Sequence, residues 1–365
     1  MTTFHRNILQ LDPEQETERI VNALRRQIFE RLKRRGGVLG ISGGVDSAVV
    51  LALAVQALGP KRLTTLLLPE MESSPDSARL ARQVCHQFGV EPLVEDVTGA
   101  LLGYGCYRRR DEAVQALFPE YDSTYKLKIT LPSGLLDEDT LNIFSATIIS
   151  PEGEEQSKRL RPNQLRQIVA ASNFKQRSRV AMLYYHAELR DYAVIGTPQK
   201  NEHDQGFFVK YGDGAMDVKP LGHLYKTQVY QLADYLDIPA EIRERPPTSD
   251  TYSAGSTQEE FFFRLPFELM DLLWYALENE VPAATVAAEM DLDIEQVERV
   301  FEDLKRKAAT TAYLRTPPLL THLPTRPWLL PQQFGRASPL QLEEHNPARL
   351  VSAPIAVKSL TRAFS

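Results

Sequence analysis

The sequence predicts a doubly wound, Rossmann-like parallel α/β sheet with a β-hairpin insertion and a C-terminal helical cluster. Three observations predict it. Between residues 37 and 97 short apolar runs alternate with longer helical ones, in the order strand, helix, strand, helix, strand. Across 119–157 that alternation gives way to apolar and polar residues changing places at every second position. Over 264–310 helical periods follow one another with no strand between them.

In chain order, residues 13–35 place Ile20, Leu24, Ile28 and Leu32 on one helical face. The acidic start and basic end of that segment suit a helix dipole. GVLGI (37–41) reads as a short buried strand, and DSAVVLALAVQAL (46–58) as a helix apolar almost all round, hence buried. RLTTLLLP (62–69) is a second strand. In SPDSARLARQVCHQFG (74–89), Ser74 can cap a helix, Pro75 suits its first turn and Gly89 can close it. EPLVEDV (91–97) is a third strand.

In the insertion, Tyr125, Leu127, Ile129 and Leu131 alternate with Lys126, Lys128 and Thr130. TLNIFSATIIS (140–150) reads as the return strand and PEGEEQ as a turn. The α/β pattern then resumes with a helix at 173–190, a strand at 191–197 and a helix at 224–236. Asp293 and Gln296 form a capping box for the last helix of the C-terminal cluster. From 314 to 365 the chain is Pro-rich and locally basic without a sustained period, which predicts an extended or partly disordered tail.

Composition narrows the function. A formal net charge of −6 argues against a general nucleic-acid binder. Two cysteines, Cys85 and Cys106, with no Cys-x-x-Cys, argue against a disulfide framework and a structural zinc site. The N-terminus lacks the apolar stretch of a signal peptide. No apolar run reaches the ~20 residues of a membrane span. The expectation is a soluble cytoplasmic protein.

The chemistry concentrates at SGGVDS (42–47), between the first strand and the first buried helix. Backbone N–H groups and the helix dipole make such a turn an anion site. Gly43 and Gly44 let the backbone approach phosphates, and Ser42 and Ser47 offer hydroxyls. No lysine lies inside the loop, so it is not a Walker-type P-loop. Asp46 stands there instead, and a carboxylate beside a polyphosphate makes sense with a divalent metal between them. The plainer alternative is a tight strand-to-helix turn with Asp46 as a helix cap.

S-G-G-x-D-S resembles the signature of the ATP pyrophosphatase superfamily. NFKQRSRVAMLYYHAEL and VIGTPQKNEHDQGFFVKYGDGAMDVKPLGHLYKTQVYQ narrow the resemblance to the NAD synthetase family, over about residues 15–98 and 166–310. The resemblance implies the ATP pyrophosphatase type of α/β fold over 1–313. It also implies an ammonia-dependent amide ligase. ATP adenylylates the nicotinate carboxylate of nicotinate adenine dinucleotide, and ammonia then displaces AMP to give NAD. By this resemblance Ser42, Gly43, Gly44, Val45, Asp46 and Ser47 hold the leaving phosphates. Arg177, Thr197, Lys226 and Thr248 contact ATP, with Thr248 on a closing loop. Asp46 and Glu202 bind Mg2+. Asn173, Tyr184, Phe207, Lys210, Asp213 and Asp217 meet the acid substrate, and Asp213 or Asp217 takes the proton that ammonia gives up. Asp46, Lys226, Asp213 and Asp217 are thus the expected catalytic set.

Relatives imply a homodimer, with neither nucleic acid nor membrane as partner. About forty residues precede the loop, so no glutaminase domain is expected, and free ammonia or a separate glutaminase is the nitrogen source. The chain departs from the family where H-K-R is common: Tyr313 and Leu314 precede Arg315. That departure keeps a second reading open, an amide ligase acting on another carboxylic acid. An RNA-modifying thiolase or lysidine synthetase predicts a basic face and, for thiolases, paired cysteines. An idle nucleotide-binding dimer sits poorly with Asp46, Glu202 and Lys226 all present.

Overall fold

The structure, a computed structural model, describes residues 4–132, 134–136, 143–249 and 251–319. Two units divide the chain, 1–316 and 317–365. Of the predicted tail, everything after Leu319 lies outside the described residues, as do 140–142 of the predicted return strand.

Helix α1 (Pro13–Arg25) opens with Asp12 as its cap, whose carboxylate accepts from the N–H groups of Glu14 and Gln15, both at 3.1 Å. The predicted single helix over 13–35 is instead α1 followed by a π turn at Arg26–Arg31, which keeps Ile28 buried. Strand β1 (Gly37–Gly40) leads through the Ser-Gly-Gly turn into α2 (Val45–Leu58). Then come β2 (Leu63–Leu67), α3 (Pro75–Gln87) and β3 (Leu93–Val94), shorter than its predicted span. Ser74 sits at the cap of α3 without a side-chain capping bond, so Pro75 carries that boundary.

Two helices follow, α4 (Thr98–Gly103) and α5 (Cys106–Gln115). The insertion holds β4 (Lys126–Thr130), β5 (Ser145–Ile149) and β6 (Glu155–Arg159), an antiparallel sheet in the order β4-β5-β6. A third strand thus extends the expected hairpin. Its side chains are all exposed, so it carries no apolar alternation to read. Leu127, Ile129, Ala146 and Ile148 make the buried face of this sheet, with Val114, Phe118 and Ile168 beneath.

Helix α6 (Pro162–Arg190) runs into β7 (Ala193–Ile195). After α7 (Lys200–Gln205), α8 (Lys226–Tyr235) and α9 (Ala240–Arg243) comes a two-stranded ribbon, β8 (Thr248–Ser249) with β9 (Ser256–Thr257). A second π turn, Glu259–Phe263, precedes α10 (Phe267–Glu278), α11 (Ala283–Met290), α12 (Ile294–Thr310) and α13 (Ala312–Arg315). The expected Asp293–Gln296 capping box opens α12.

The main sheet is parallel in the order β3-β2-β1-β7. Both faces are covered. Leu39, Ile41, Leu63 and Leu67 pack under α1, α2 and α8, while Val38, Leu66 and Val194 pack under Val180, Leu183 and Ala187 of α6. Burial on both sides is why these strands read as unbroken apolar runs. The doubly wound parallel arrangement is the fold class the sequence predicts.

The turn after β1 depends on one glycine. Gly43 has φ +82°, and a Cβ there would lie 2.4 Å from the Ser77 carbonyl oxygen. Gly43→Ala is therefore expected to cost about 2 kcal/mol or more, read as a lowered midpoint of thermal unfolding. Gly44→Ala, whose Cβ would meet only the Ser42 hydroxyl at 3.4 Å, is the mild control. Equal midpoints for the two variants would contradict this account of the turn.

Candidate active site

A cavity of about 590 Å³ opens beyond the C-terminal ends of β1 and β2. Open α/β sheets take their ligands at this end. Ser42, Gly44, Val45, Asp46 and Ser47 line it, so the Ser-Gly-Gly turn faces the space.

The turn is braced from within. The Ser47 hydroxyl donates to the Gly44 carbonyl at 2.9 Å, and the N–H of Gly44 donates to the Ser42 hydroxyl at 3.2 Å. Gly44 at the cap of α2 has no side chain to occupy the first-turn N–H groups. They remain for a ligand, as an anion site requires.

Asp46 stands in that first turn, and Lys226 meets it from the first residue of α8. The ammonium is 1% exposed and donates to both Asp46 oxygens, at 2.8 and 2.7 Å. Burial by itself would lower the Lys226 pKa, but the surrounding negative charge, Asp46 foremost, turns the net shift upward. The ammonium therefore stays charged.

Two residues from other elements aim Lys226. The Asn201 side-chain oxygen accepts from the Lys226 N–H at 3.2 Å, and the Asn201 amide donates to Asp271. Asp271, on α10, also accepts from the Thr227 N–H at 2.8 Å. The C-terminal helices thus hold the N-terminus of α8 in place.

Glu202, on α7, lines the cavity as well. It accepts from the Gln199 N–H at 3.2 Å and from the Gln258 amide at 3.3 Å. Burial, and next the Asp46 carboxylate, push its pKa up. Two carboxylates sharing one buried place favour a cation between them.

Thr197, Thr248, Asn173, Phe207 and Asp213 complete the expected residues on the cavity wall. Asp213 accepts from the Val209 N–H at 2.8 Å, and burial pushes its carboxyl up to about 6. Gly43, Arg177, Tyr184, Lys210 and Asp217 are not on the wall. The Arg177 guanidinium donates to the Lys210 carbonyl, and the Lys210 ammonium donates to the carbonyls of Tyr313 and Thr316 at 2.7 and 2.8 Å. The Tyr184 hydroxyl lies 2.7 Å from the Ala215 carbonyl and 3.2 Å from Asp217, which accepts from the Val194 N–H at 2.8 Å.

Sequence reasoning missed a second buried charge cluster beside the cavity. The Lys175 ammonium, 1% exposed, donates to Glu70 at 3.0 Å, Glu72 at 2.7 Å and the Thr251 carbonyl at 3.0 Å. Arg110 grips Glu72 with two bonds of 2.6 and 2.7 Å, and Tyr107 donates to Glu70 at 2.6 Å. Thr251 lies within the β8–β9 ribbon, so this cluster anchors it. Ser172, Lys175 and Ser178 recur at three-residue spacing on the buried side of α6. That recurrence of polar residues was the available signal. Gln258 was missed too, although it lies next to Glu259 and Glu260 at the ribbon's end.

Fold and site together define a nucleotide-handling α/β protein of the ATP pyrophosphatase type, with the phosphate turn at β1–α2 and a buried Asp–Lys pair above it. The chain belongs to the NAD synthase family, whose model matches residues 16–115 and 137–317. The NH3-dependent NAD+ synthetase of Mesorhizobium japonicum is 47% identical over 314 residues, covering 86% of this chain and 98% of that one. The protein of the same name from Rhizobium meliloti is 48% identical over 317 residues, 87% of this chain and 94% of that one. Among solved structures, an NH3-dependent NAD synthetase from Campylobacter jejuni has TM-score 0.55 at 22% identity, covering 86% of this chain and all of that one. That likeness speaks for the fold. Strand β4 lies in the stretch that the family model leaves unmatched.

Asp271 gives a pH test of the support beneath Lys226. Burial raises its carboxyl from 3.8 to about 6, so its proton stabilises the fold below about pH 4 and that stability is lost as pH rises through 6. Relative to Asp271→Asn, the wild type should lose roughly 3 kcal/mol of unfolding free energy between pH 4 and 7. Parallel stability profiles for the two proteins in denaturant titrations would refute the assignment.

Proposed function

We propose that the protein is an ammonia-dependent NAD synthase. It adenylylates the nicotinate carboxylate of nicotinate adenine dinucleotide and amidates it with ammonia, giving NAD, AMP and pyrophosphate. The observation that carries this reading is the buried Lys226–Asp46 pair at the phosphate turn. It occurs in a chain whose relatives along most of its length are named for that activity.

A carboxylate oxygen of the acid attacks the α-phosphorus of ATP, and the bond to pyrophosphate breaks. Ser42, Gly43, Gly44, Val45, Asp46 and Ser47 hold the leaving phosphates through N–H groups and hydroxyls, and Lys226 offsets their charge. Asp46 and Glu202 are an all-oxygen, hard donor pair, and no larger group of metal-ligating side chains gathers among the described residues. Such a pair fits Mg2+, which takes one or two carboxylates and leaves its other positions to phosphate oxygens and water. When bound, Mg2+ neutralises charge that builds on the leaving pyrophosphate. Thr197 contacts ATP, and Thr248 covers the phosphates from the ribbon.

Asn173, Phe207 and Asp213, on the cavity wall, position the acid. Ammonia attacks the acyl carbon, AMP leaves with the bonding pair, and the surplus proton goes to Asp213. Its raised pKa makes Asp213 a better proton acceptor than an ordinary carboxylate. Asp217 is already engaged with the Val194 N–H, which suits it to orienting Tyr184.

The protein works as a homodimer. Leu93, Val94, Leu102, Tyr104, Tyr185 and Leu189 are exposed apolar or aromatic side chains, and their exposure supports that reading, since a second copy would cover such surface. No described helix is long and apolar enough to cross a membrane. The reaction takes place in the cytoplasm, with free ammonia or ammonia from a separate glutaminase.

A second reading, amidation of a different acid, is favoured by one observation: Tyr313 and Leu314, neither of them cationic, stand on the cavity wall. Competition between candidate acids separates the two.

The test is pyrophosphate release with ATP, Mg2+ and ammonium, with and without nicotinate adenine dinucleotide, measuring NAD in the same tube. Release that depends on the dinucleotide and matches NAD one for one is expected. Release without NAD would overturn the reading. Asp213→Asn should lower kcat about a hundredfold with the KM for ATP unchanged; an unaltered kcat would remove Asp213 from the proton step.

A further inference from the structure

Lys175 stands behind the cavity wall and not on it, as do Glu70 and Glu72. An ammonium has three hydrogens to donate, and here each has an acceptor. The carboxylates of Glu70 and Glu72, at 3.0 and 2.7 Å, belong to the connection between β2 and α3. The Thr251 carbonyl, at 3.0 Å, belongs to the ribbon. Offsetting the buried charge requires the carboxylates. The neutral carbonyl adds nothing to that balance, so the bond to Thr251 serves position.

Both segments reach the cavity. The Glu70 carboxylate accepts from the Glu72 N–H at 3.1 Å, and the Glu70 N–H donates to the Ser73 hydroxyl at 3.0 Å. The Ser73 N–H donates back to the Glu70 carbonyl at 2.9 Å. Buried Glu70 thus shapes a turn that sets Ser73 and Ser74 on the wall. Further along, the Ser77 carbonyl packs against Gly43 of the phosphate turn. From the ribbon, Thr248 and Thr251 line the same cavity. Arg245, ahead of the ribbon, lines it too and donates to the Ser77 hydroxyl at 3.2 Å. The insertion holds the ribbon's far side, where the Ala254 N–H donates to the Leu127 carbonyl at 2.9 Å.

Segments that must be ordered when a ligand arrives subtract that ordering from its affinity. Segments already locked together subtract less. We propose that Lys175 is a positioning residue for ATP. It joins the β2–α3 turn and the ribbon into one wall and so sets nucleotide affinity without touching the nucleotide. This rests on the reading that places the phosphates of ATP at the Ser-Gly-Gly turn.

The experiment compares wild type with the double variant Lys175→Met/Glu70→Gln, which removes one charge of each sign and keeps the Arg110–Glu72 pair. In equilibrium titration with Mg2+ and a non-hydrolysable ATP analogue, affinity should fall about tenfold. At saturating ATP, kcat for NAD should change less than about threefold, because no reacting group is lost. Hydrogen exchange should quicken in 70–74 and 251–257 together. Tyr107→Phe removes a Glu70 bond but spares all those of Lys175, and should leave analogue affinity within about twofold. Unchanged affinity in the double variant, or an equal loss in Tyr107→Phe, would reduce the cluster to support of the fold and overturn the proposal. If the double variant does not fold, exchange in the wild type decides. The analogue should then slow 70–74 and 251–257 alike, and slowing of one alone would overturn the proposal. A wild type that binds the analogue through Lys175 yet makes no NAD would defeat the reaction reading and leave the brace standing. A wild type that makes NAD while the double variant binds the analogue normally would defeat the brace alone.

Discussion

An ammonium taken out of water costs several kcal/mol unless a carboxylate meets it. Lys226 is such an ammonium, and Asp46 is the carboxylate. The pair ties the first turn of α2 to the first residue of α8, two helices on the same face of the parallel sheet. It also fixes where the Ser-Gly-Gly turn points. Asn201 and Asp271 set Lys226 from behind, so α7 and α10 serve the same contact. A ligand phosphate entering the turn meets a positive charge already placed and already dehydrated. That is what preorganisation requires.

The second buried ammonium, Lys175, applies the same rule to a different end. Its charge is met by Glu70 and Glu72, and its third bond goes to the ribbon's Thr251 carbonyl. Arg110 satisfies the carboxylate that Lys175 shares, so no charge in the cluster is left alone. One pair therefore fixes the phosphate turn, and one cluster fixes the segment that lies across the cavity from it. The insertion packs on that same segment, which is how an added sheet comes to touch a nucleotide site.

Most of the fold was legible because the relevant signals are local. Two glycines followed by Asp46 and an apolar helix announce a phosphate turn within a few residues. β1, β2 and α2 are buried on both sides, and their apolar runs say so. The third strand of the insertion was not legible because Glu155–Arg159 has no buried face. α6 starts eleven residues before the predicted helix, although Leu165, Ile168 and Val169 keep helical spacing there and made that start readable. Of the site, the residues on the turn and Glu202, Lys226 and Asp213 were readable from motifs and are brought to one cavity. Asp271, Asn201, Lys175 and Glu70 were not, because their meaning lies in partners far away in sequence. Asp271 gains its role only when α10 packs beside α8.

In the reading proposed for the cavity, Asp46 and Glu202 hold a divalent cation that receives the phosphates beside Lys226. Calorimetric titration of the purified protein with ATP, with Mg2+ present and then with Mg2+ removed by chelation, tests it most directly. The account predicts tight binding with Mg2+, and binding weakened about a hundredfold or more without it, because Lys226 is already engaged by both Asp46 oxygens and the phosphate charge is left without a further cation. Equal affinity in both conditions would contradict it, because the Asp46–Lys226 pair would then be a structural clamp and not part of a metal–phosphate cradle.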